Sequence, residues 1–164
     1  QSMIQQKSLN NQQKLYVLGL FLITILLTQI SLPFIPIGSL PDYFIAWAVA
    51  LISVNNKYFS VMKIFFLGLV ADILIGQLIG QYGFTFLLIY VLHFFISKML
   101  AIQSNGQKTV LGVILVLFGL LIDYMTSATY EIDNYETSAL LKIIFTIITF
   151  LIYRLIFEMK LKAI

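Results

Sequence analysis

Gly68-Leu69-Val70-Ala71-Asp72-Ile73-Leu74-Ile75-Gly76-Gln77-Leu78-Ile79-Gly80-Gln81-Tyr82-Gly83 lies inside an apolar run that starts at Tyr58. It reads as the outgoing half of a membrane-spanning helix that carries a carboxylate. Gly68, Asp72, Gly76 and Gly80 recur every fourth residue, a spacing that keeps them on one slowly drifting helix face. Glycines on that face let another backbone come close, and a carboxylate among them is spared contact with lipid. Phe65, Phe66, Leu67, Val70, Ile73 and Leu74 on the other side suit lipid or bulky packing. The stretch is therefore expected to be the central helix of a polytopic bundle, with Asp72 pointing inward.

Composition supports a bundle of that kind. Sixty per cent of the residues are hydrophobic, 10% are charged, and the mean hydropathy is +0.98. Soluble domains carry about 25% charged residues, so a soluble fold is excluded. A spanning helix needs roughly 20 apolar residues, which leaves 164 residues with room for at most about six or seven spans and no separate soluble domain. With no cysteine there is no disulfide, thiolate metal site or cysteine nucleophile. The net charge of +3 is scattered between apolar runs rather than clustered, which argues against a nucleic-acid partner.

Outward from the opening stretch, the chain divides into a polar start, six apolar segments and a basic tail. Gln1-Ser2 ahead of Met3 reads as an expression scar, and residues 1–14, rich in Gln and Asn, as a disordered cytoplasmic N-terminus. The six-helix transmembrane domain covers residues 15–157, and 158–164 form a basic cytoplasmic tail. The first span runs from about Leu15 to Leu32 and reads as an uncleaved anchor. All three prolines follow, at Pro33, Pro36 and Pro41. Ser39 and Asp42 stand in capping-box spacing, and Pro41 suits a first helical turn, so a second, short helix starts there and runs to about Val54. Further spans are expected at Tyr58–Ile79, Phe84–Met99, Thr109–Thr126 and Ser138–Phe157.

Charge placement orients this bundle. With an inside N-terminus and six spans, Lys7, Lys14, Lys57, Lys63, Lys98, Lys108, Arg154, Lys160 and Lys162 fall in the cytoplasm. Lys142 alone among the basic residues is outside, and Glu158 alone among the acids is inside. Both termini are thus placed inside. At 1.5 Å per residue, Asp72 lies about 21 Å beyond Tyr58 and Asp123 about 21 Å beyond Thr109, in the outer third of the membrane. Asp42 starts its helix at the same outer surface.

Pro41-Asp42-Tyr43, then Gly68-Leu-Val-Ala-Asp72 and Leu78-Ile-Gly80-Gln-Tyr-Gly83, form an ordered set that resembles MreD, the rod shape-determining membrane protein family of bacteria. The motif portion covers about Pro41 to Tyr90, and its matching positions are Pro41, Asp42, Gly68, Asp72, Gly80 and Gly83. The resemblance implies a fold similar to the S components of energy-coupling-factor transporters and a non-enzymatic, cofactor-free scaffold in the cytoplasmic membrane. It also implies an MreC-like bitopic partner in an elongation complex with MreB-like filaments, a RodA-like polymerase and a transpeptidase, supporting lateral peptidoglycan synthesis.

The candidate partner- or ligand-binding residues are Phe34, Ile37, Pro41, Asp42, Gly68, Asp72, Gly76, Gly80 and Asp123. Each has a plainer structural reading beside it. Asp72 pins neighbouring helices or meets a ligand or partner; Asp42 caps a helix. Asp123 joins Asp72 in a paired site or stays hydrated near the surface. Gly76 and Gly80 pack within the chain or form a homo-oligomer seam. Phe34 and Ile37, in the proline loop, dip into the lipid interface or dock a partner. His93 is expected in an interhelical hydrogen bond, and Arg154, Lys160 and Lys162 suit anionic lipid headgroups or cytoplasmic filaments. The competing function is an S-component-like subunit that binds a vitamin-type ligand among Asp42, Asp72 and Asp123. Against it, the first span lacks the small alanine pattern used for docking an energising partner. No catalytic constellation favours an enzyme.

Overall fold

The structure, a computed structural model, describes residues 11–30, 39–54, 60–75, 78–101, 104–129 and 139–162. These form six helices: α1 (Asn11–Gln29), α2 (Tyr43–Val54), α3 (Val61–Ile75), α4 (Gln81–Met99), α5 (Asn105–Thr129) and α6 (Ala139–Lys162). No strand occurs among the described residues. Three helices, α4, α5 and α6, are long and apolar enough to cross a membrane; α2 is apolar but shorter. Phe34, Ile37 and Gly76 lie outside the described residues.

The central element is α2, not the helix that carries Asp72. Ten of the twelve α2 residues are buried, and α1, α4, α5 and α6 pack around it. Its sequence explains this. From Phe44 to Ile52 every side chain is apolar and three are alanine, so the helix has no polar face and is stable only when enclosed. At 1.5 Å per residue it is about 18 Å long, well short of a bilayer core.

α3 sits at the periphery and packs mainly on α4. It buries Ile64, Gly68, Ala71 and Asp72 along one stripe and exposes Met62, Phe66, Val70, Ile73 and Leu74 along another. It also ends at Ile75, four residues short of the expected Ile79, and α4 begins at Gln81 after a turn. The apolar character of the segment conceals that break. Gly80 therefore belongs to the turn rather than to the face shared by Gly68 and Asp72, and its φ of +103° is a left-handed conformation that glycine adopts freely.

Glycines set the close approaches. A Cβ on Gly68 would stand 2.5 Å from the Gly83 Cα, so α3 and α4 touch backbone to backbone. On α5, the Phe150 ring of α6 occupies the space beside Gly112, while Ile45 of α2 and Ile89 of α4 meet over Gly119. α1 joins through Val17, Phe21 and Thr24. The Phe21 ring lies 4.9 Å from Trp47 and 5.8 Å from Phe44. The Thr24 hydroxyl donates to the Leu20 carbonyl at 2.8 Å, which leaves the Tyr153 hydroxyl of α6 to donate to Thr24 Oγ1 at 2.9 Å.

This packing separates two kinds of glycine. Gly68→Val should force the α3–α4 backbones apart and cost about 1–3 kcal/mol, as overpacking does. Gly19→Ala, where a new methyl meets nothing within 4 Å, should be neutral or stabilise by about 0.5–1 kcal/mol. Thermal unfolding of the two variants in detergent checks the contrast.

Candidate functional site

One end of the bundle holds a polar layer built on three buried carboxylates. Asp72, fully buried in the last turn of α3, receives only backbone donors among the described residues. Its Oδ1 accepts the Tyr82 N–H at 2.8 Å, and its Oδ2 accepts those of Gly80 at 2.9 Å and Gly83 at 3.3 Å. These are first-turn amides of α4, which a helix cannot satisfy internally. The N-cap of α4 is Gly80, which has no side chain to offer, so α3 supplies the cap from outside. A negative charge there also complements the helix dipole. The Gly68–Gly83 contact brings the two backbones within reach, which ties the glycine and the acid of the quoted stretch into one device.

Asp42 is the N-cap of α2. Its Oδ1 accepts the Ile45 N–H at 3.0 Å, and its own N–H donates to Thr146 Oγ1 on α6 at 3.0 Å. Thr146 in turn donates to the Lys142 carbonyl at 2.7 Å. Asp42, rather than Ser39, therefore does the capping, and Pro41 precedes the cap instead of occupying the first turn. The Tyr82 hydroxyl donates to Asp42 Oδ2 at 3.0 Å. Tyr82 thus joins two acids, one through its N–H and the other through its O–H.

Asp123 on α5 is buried, not hydrated at the surface. Gln81 Nε2 donates to its Oδ1 at 2.9 Å, and Lys142 Nζ of α6 lies 3.4 Å from its Oδ2. The Gln81 amide also reaches Thr126 Oγ1 at 3.3 Å. Beside this pair an apolar cleft of about 270 Å³ opens between α5 and α6, bordered by Leu120, Leu121, Tyr124, Ala139 and Ile143.

The three acids expected on one side of the membrane are therefore gathered at one end, but not as an open acidic pocket. Gln81 and Tyr82, adjacent at the head of α4, distribute donors among them. Each hydrogen bond to a charged group is worth about 1.5–3 kcal/mol, and an unpaired buried charge costs more than that. The arrangement is chemically a set of helix caps and cross-links. Among the described residues no group of three or more acidic, histidine or cysteine side chains is placed to hold a metal. Sequence reading singled out Asp42, Asp72 and Asp123 but missed Gln81, Tyr82, Thr146 and Lys142 as their partners. Lys142 carried the one visible signal, as the lone basic residue expected on the acidic side. At the other end, His93 is buried on α4 with Nδ1 unpartnered among the described residues, where an interhelical hydrogen bond is expected of the ring.

A family model described as rod shape-determining protein MreD matches residues 10–160, a span that takes in the polar layer and almost all of the six helices. The chain belongs to the MreD family. The comparison with curated proteins and the comparison with solved structures each gave no match. Membership in MreD places the chain in a membrane-protein family that acts in rod-shape determination. It also gives the capped acids a setting in which their desolvation matters, since a bilayer offers no water to a stray carboxylate.

The geometry ranks the acids by their donors. Asp72→Asn keeps one acceptor oxygen and turns an amide N–H₂ toward backbone donors, so it should destabilise the protein by about 3 kcal/mol. Tyr82→Phe removes the hydroxyl bond to the Asp42 carboxylate and should cost about 1.5 kcal/mol, the low end for a bond to a charged group. Denaturation in detergent, with helix content as readout, should place the two variants in that order.

Proposed function

We propose that the chain is a non-enzymatic scaffold of the bacterial cell-elongation complex, crossing the cytoplasmic membrane six times with both termini inside. It holds an MreC-like bitopic partner and so supports rod shape and lateral peptidoglycan synthesis beside MreB-like filaments, a RodA-like polymerase and a transpeptidase. The observation that carries this reading is the family match along residues 10–160. Charge placement supports the orientation. Lys14, Lys98, Lys108, Arg154 and Lys160 lie toward one end of the helices, and Asp42, Asp72 and Asp123 gather at the other. The short helices fit a crossing chain because α2 is walled off by its neighbours and does not itself face lipid.

The partner surface in this reading is the outward stripe of α3, Met62, Phe66, Val70, Ile73 and Leu74, together with the proline loop containing Phe34 and Ile37. α2 is enclosed, so a groove between the second and third helices reduces to α3 and that loop. The Asp72 cap holds α3 rigidly against α4, which lowers the ordering cost of docking. A ligand-binding subunit of the S-component kind fits less well, because Asp72 spends its oxygens on three backbone N–H groups of its own chain.

A photoreactive residue placed at Leu74 or Phe34 in growing cells should capture an MreC-like protein, and one at buried Ile45 should not. Failure to capture an MreC-like protein from both outer positions would overturn the docking surface.

A further inference from the structure

The end of the bundle opposite the acids carries a buried cation that the described residues only half satisfy. Arg154 on α6 is 4% exposed. Its Nη2 donates to the Asn105 carbonyl in the first turn of α5 at 3.0 Å and to Glu158 Oε1 at 3.3 Å. Its Nη1 is buried and has no hydrogen-bond partner among the described residues. A guanidinium is built to bind an oxyanion through two parallel N–H donors, and Glu158 engages only one side of that fork. The Glu158 side chain is itself 24% exposed, so it sits at the edge of the site.

The neighbourhood favours an anion. The first turn of α5, a 25-residue helix, lies against Arg154 and presents the positive end of the helix dipole. Ser104 and Gln107 close that turn with a reciprocal capping box at 3.2 Å each way, and at Gly106 a Cβ would meet nothing within 4 Å, so the turn is open there. Lys108 follows one residue after the box. Lys160 is directed elsewhere, with its ammonium 5.2 Å from the centre of the Tyr16 ring.

We infer that Arg154 and the first turn of α5 form a binding site for the phosphate of an anionic lipid, with Glu158 holding the place of that phosphate until it arrives. The lipid phosphate displaces the Glu158 carboxylate and takes both Nη donors, while Lys108 adds charge at the rim. The source is a lipid because the long arginine side chain reaches from an apolar helix to the level where α5 begins, which is headgroup depth in the proposed orientation. The site rests on that reading for its leaflet, but not for its chemistry.

Native mass spectrometry of the full chain in detergent, titrated with phosphatidylglycerol, phosphatidylcholine or inorganic phosphate, tests it. Phosphatidylglycerol should bind about tenfold more tightly than phosphatidylcholine, because both offer a phosphate to the fork but the choline of phosphatidylcholine brings a second cation beside Arg154 and Lys108. Arg154→Gln should erase that preference, Glu158→Gln should strengthen it by removing the internal competitor, and Lys160→Gln should leave it within about twofold. Should Arg154→Gln fail to fold, Arg154→Lys, which keeps the charge and loses the fork, should still reduce the preference. Equal binding of the two lipids, an Arg154→Gln variant with the wild-type preference, or weaker phosphatidylglycerol binding by Glu158→Gln would overturn the site. Inorganic phosphate competing away phosphatidylglycerol at equal concentration would reassign it to a soluble anion and overturn the lipid source. Separately, a Gly106→Cys chain in intact cells should resist a membrane-impermeant maleimide. Labelling there with the lipid preference intact would refute the orientation alone.

Discussion

A carboxylate buried between helices has to find all its donors inside the protein, and at Asp72 it finds them in the first turn of the next helix. Much of the fold follows from that one bond set. α3 stops at Ile75 and the chain passes through the left-handed Gly80, so that the amides of Gly80, Tyr82 and Gly83 turn toward the acid. Gly68 must lack a side chain for the two backbones to come that close, and at Gly83 a Cβ would press on the Leu69 and Phe65 side chains at 3.2 and 3.3 Å. Once the head of α4 is held, the Tyr82 hydroxyl is aimed at Asp42 and the Gln81 amide at Asp123, and these tie α2 and α5 to the same layer. Thr146 and Lys142 bring in α6.

Below that layer the packing is apolar and depends on shape. Lipid tails compete with side chains for apolar contact, so helix association in a membrane draws on close fit and polar ties rather than on exclusion of water. The chain uses both. Gly112 and Gly119 admit Phe150, Ile45 and Ile89, and the enclosed α2 supplies an apolar axis for its neighbours. The two ends then differ in kind: one is a set of satisfied caps, the other carries a buried arginine with a donor unpartnered among the described residues. In the proposed scaffold role, the first kind of end would give a rigid frame for the outer face of α3.

Membrane character, the helical class and the inward turn of Asp72 are all legible in the residues. A charge within an apolar run, with glycine four residues before it, has few other solutions. Asp42 as a cap is legible for the same reason, because proline and a carboxylate ahead of an apolar segment mark a helix start. What was not legible is the end of α3. The segment from Tyr58 to Ile79 is apolar enough throughout to read as one span, and the tertiary bond that accompanies the end of α3 has no local pattern. The central place of α2 was signalled by its lack of a polar face, but the shortness of the segment and the conspicuous acid in α3 drew attention away from it. The partners of the acids could not be read, since Gln81, Tyr82 and Thr146 are ordinary helix residues until the fold sets them opposite a carboxylate.

The account turns on Asp72 closing the N-terminus of α4, and amide hydrogen exchange measures that closure directly. First-turn amides of a helix ordinarily exchange fast because no backbone carbonyl covers them. If Asp72 accepts them, the Tyr82 and Gly83 amides, followed by NMR in detergent micelles, exchange as slowly as the middle of α4. Fast exchange at both positions, with the middle of α4 still protected, would contradict the account.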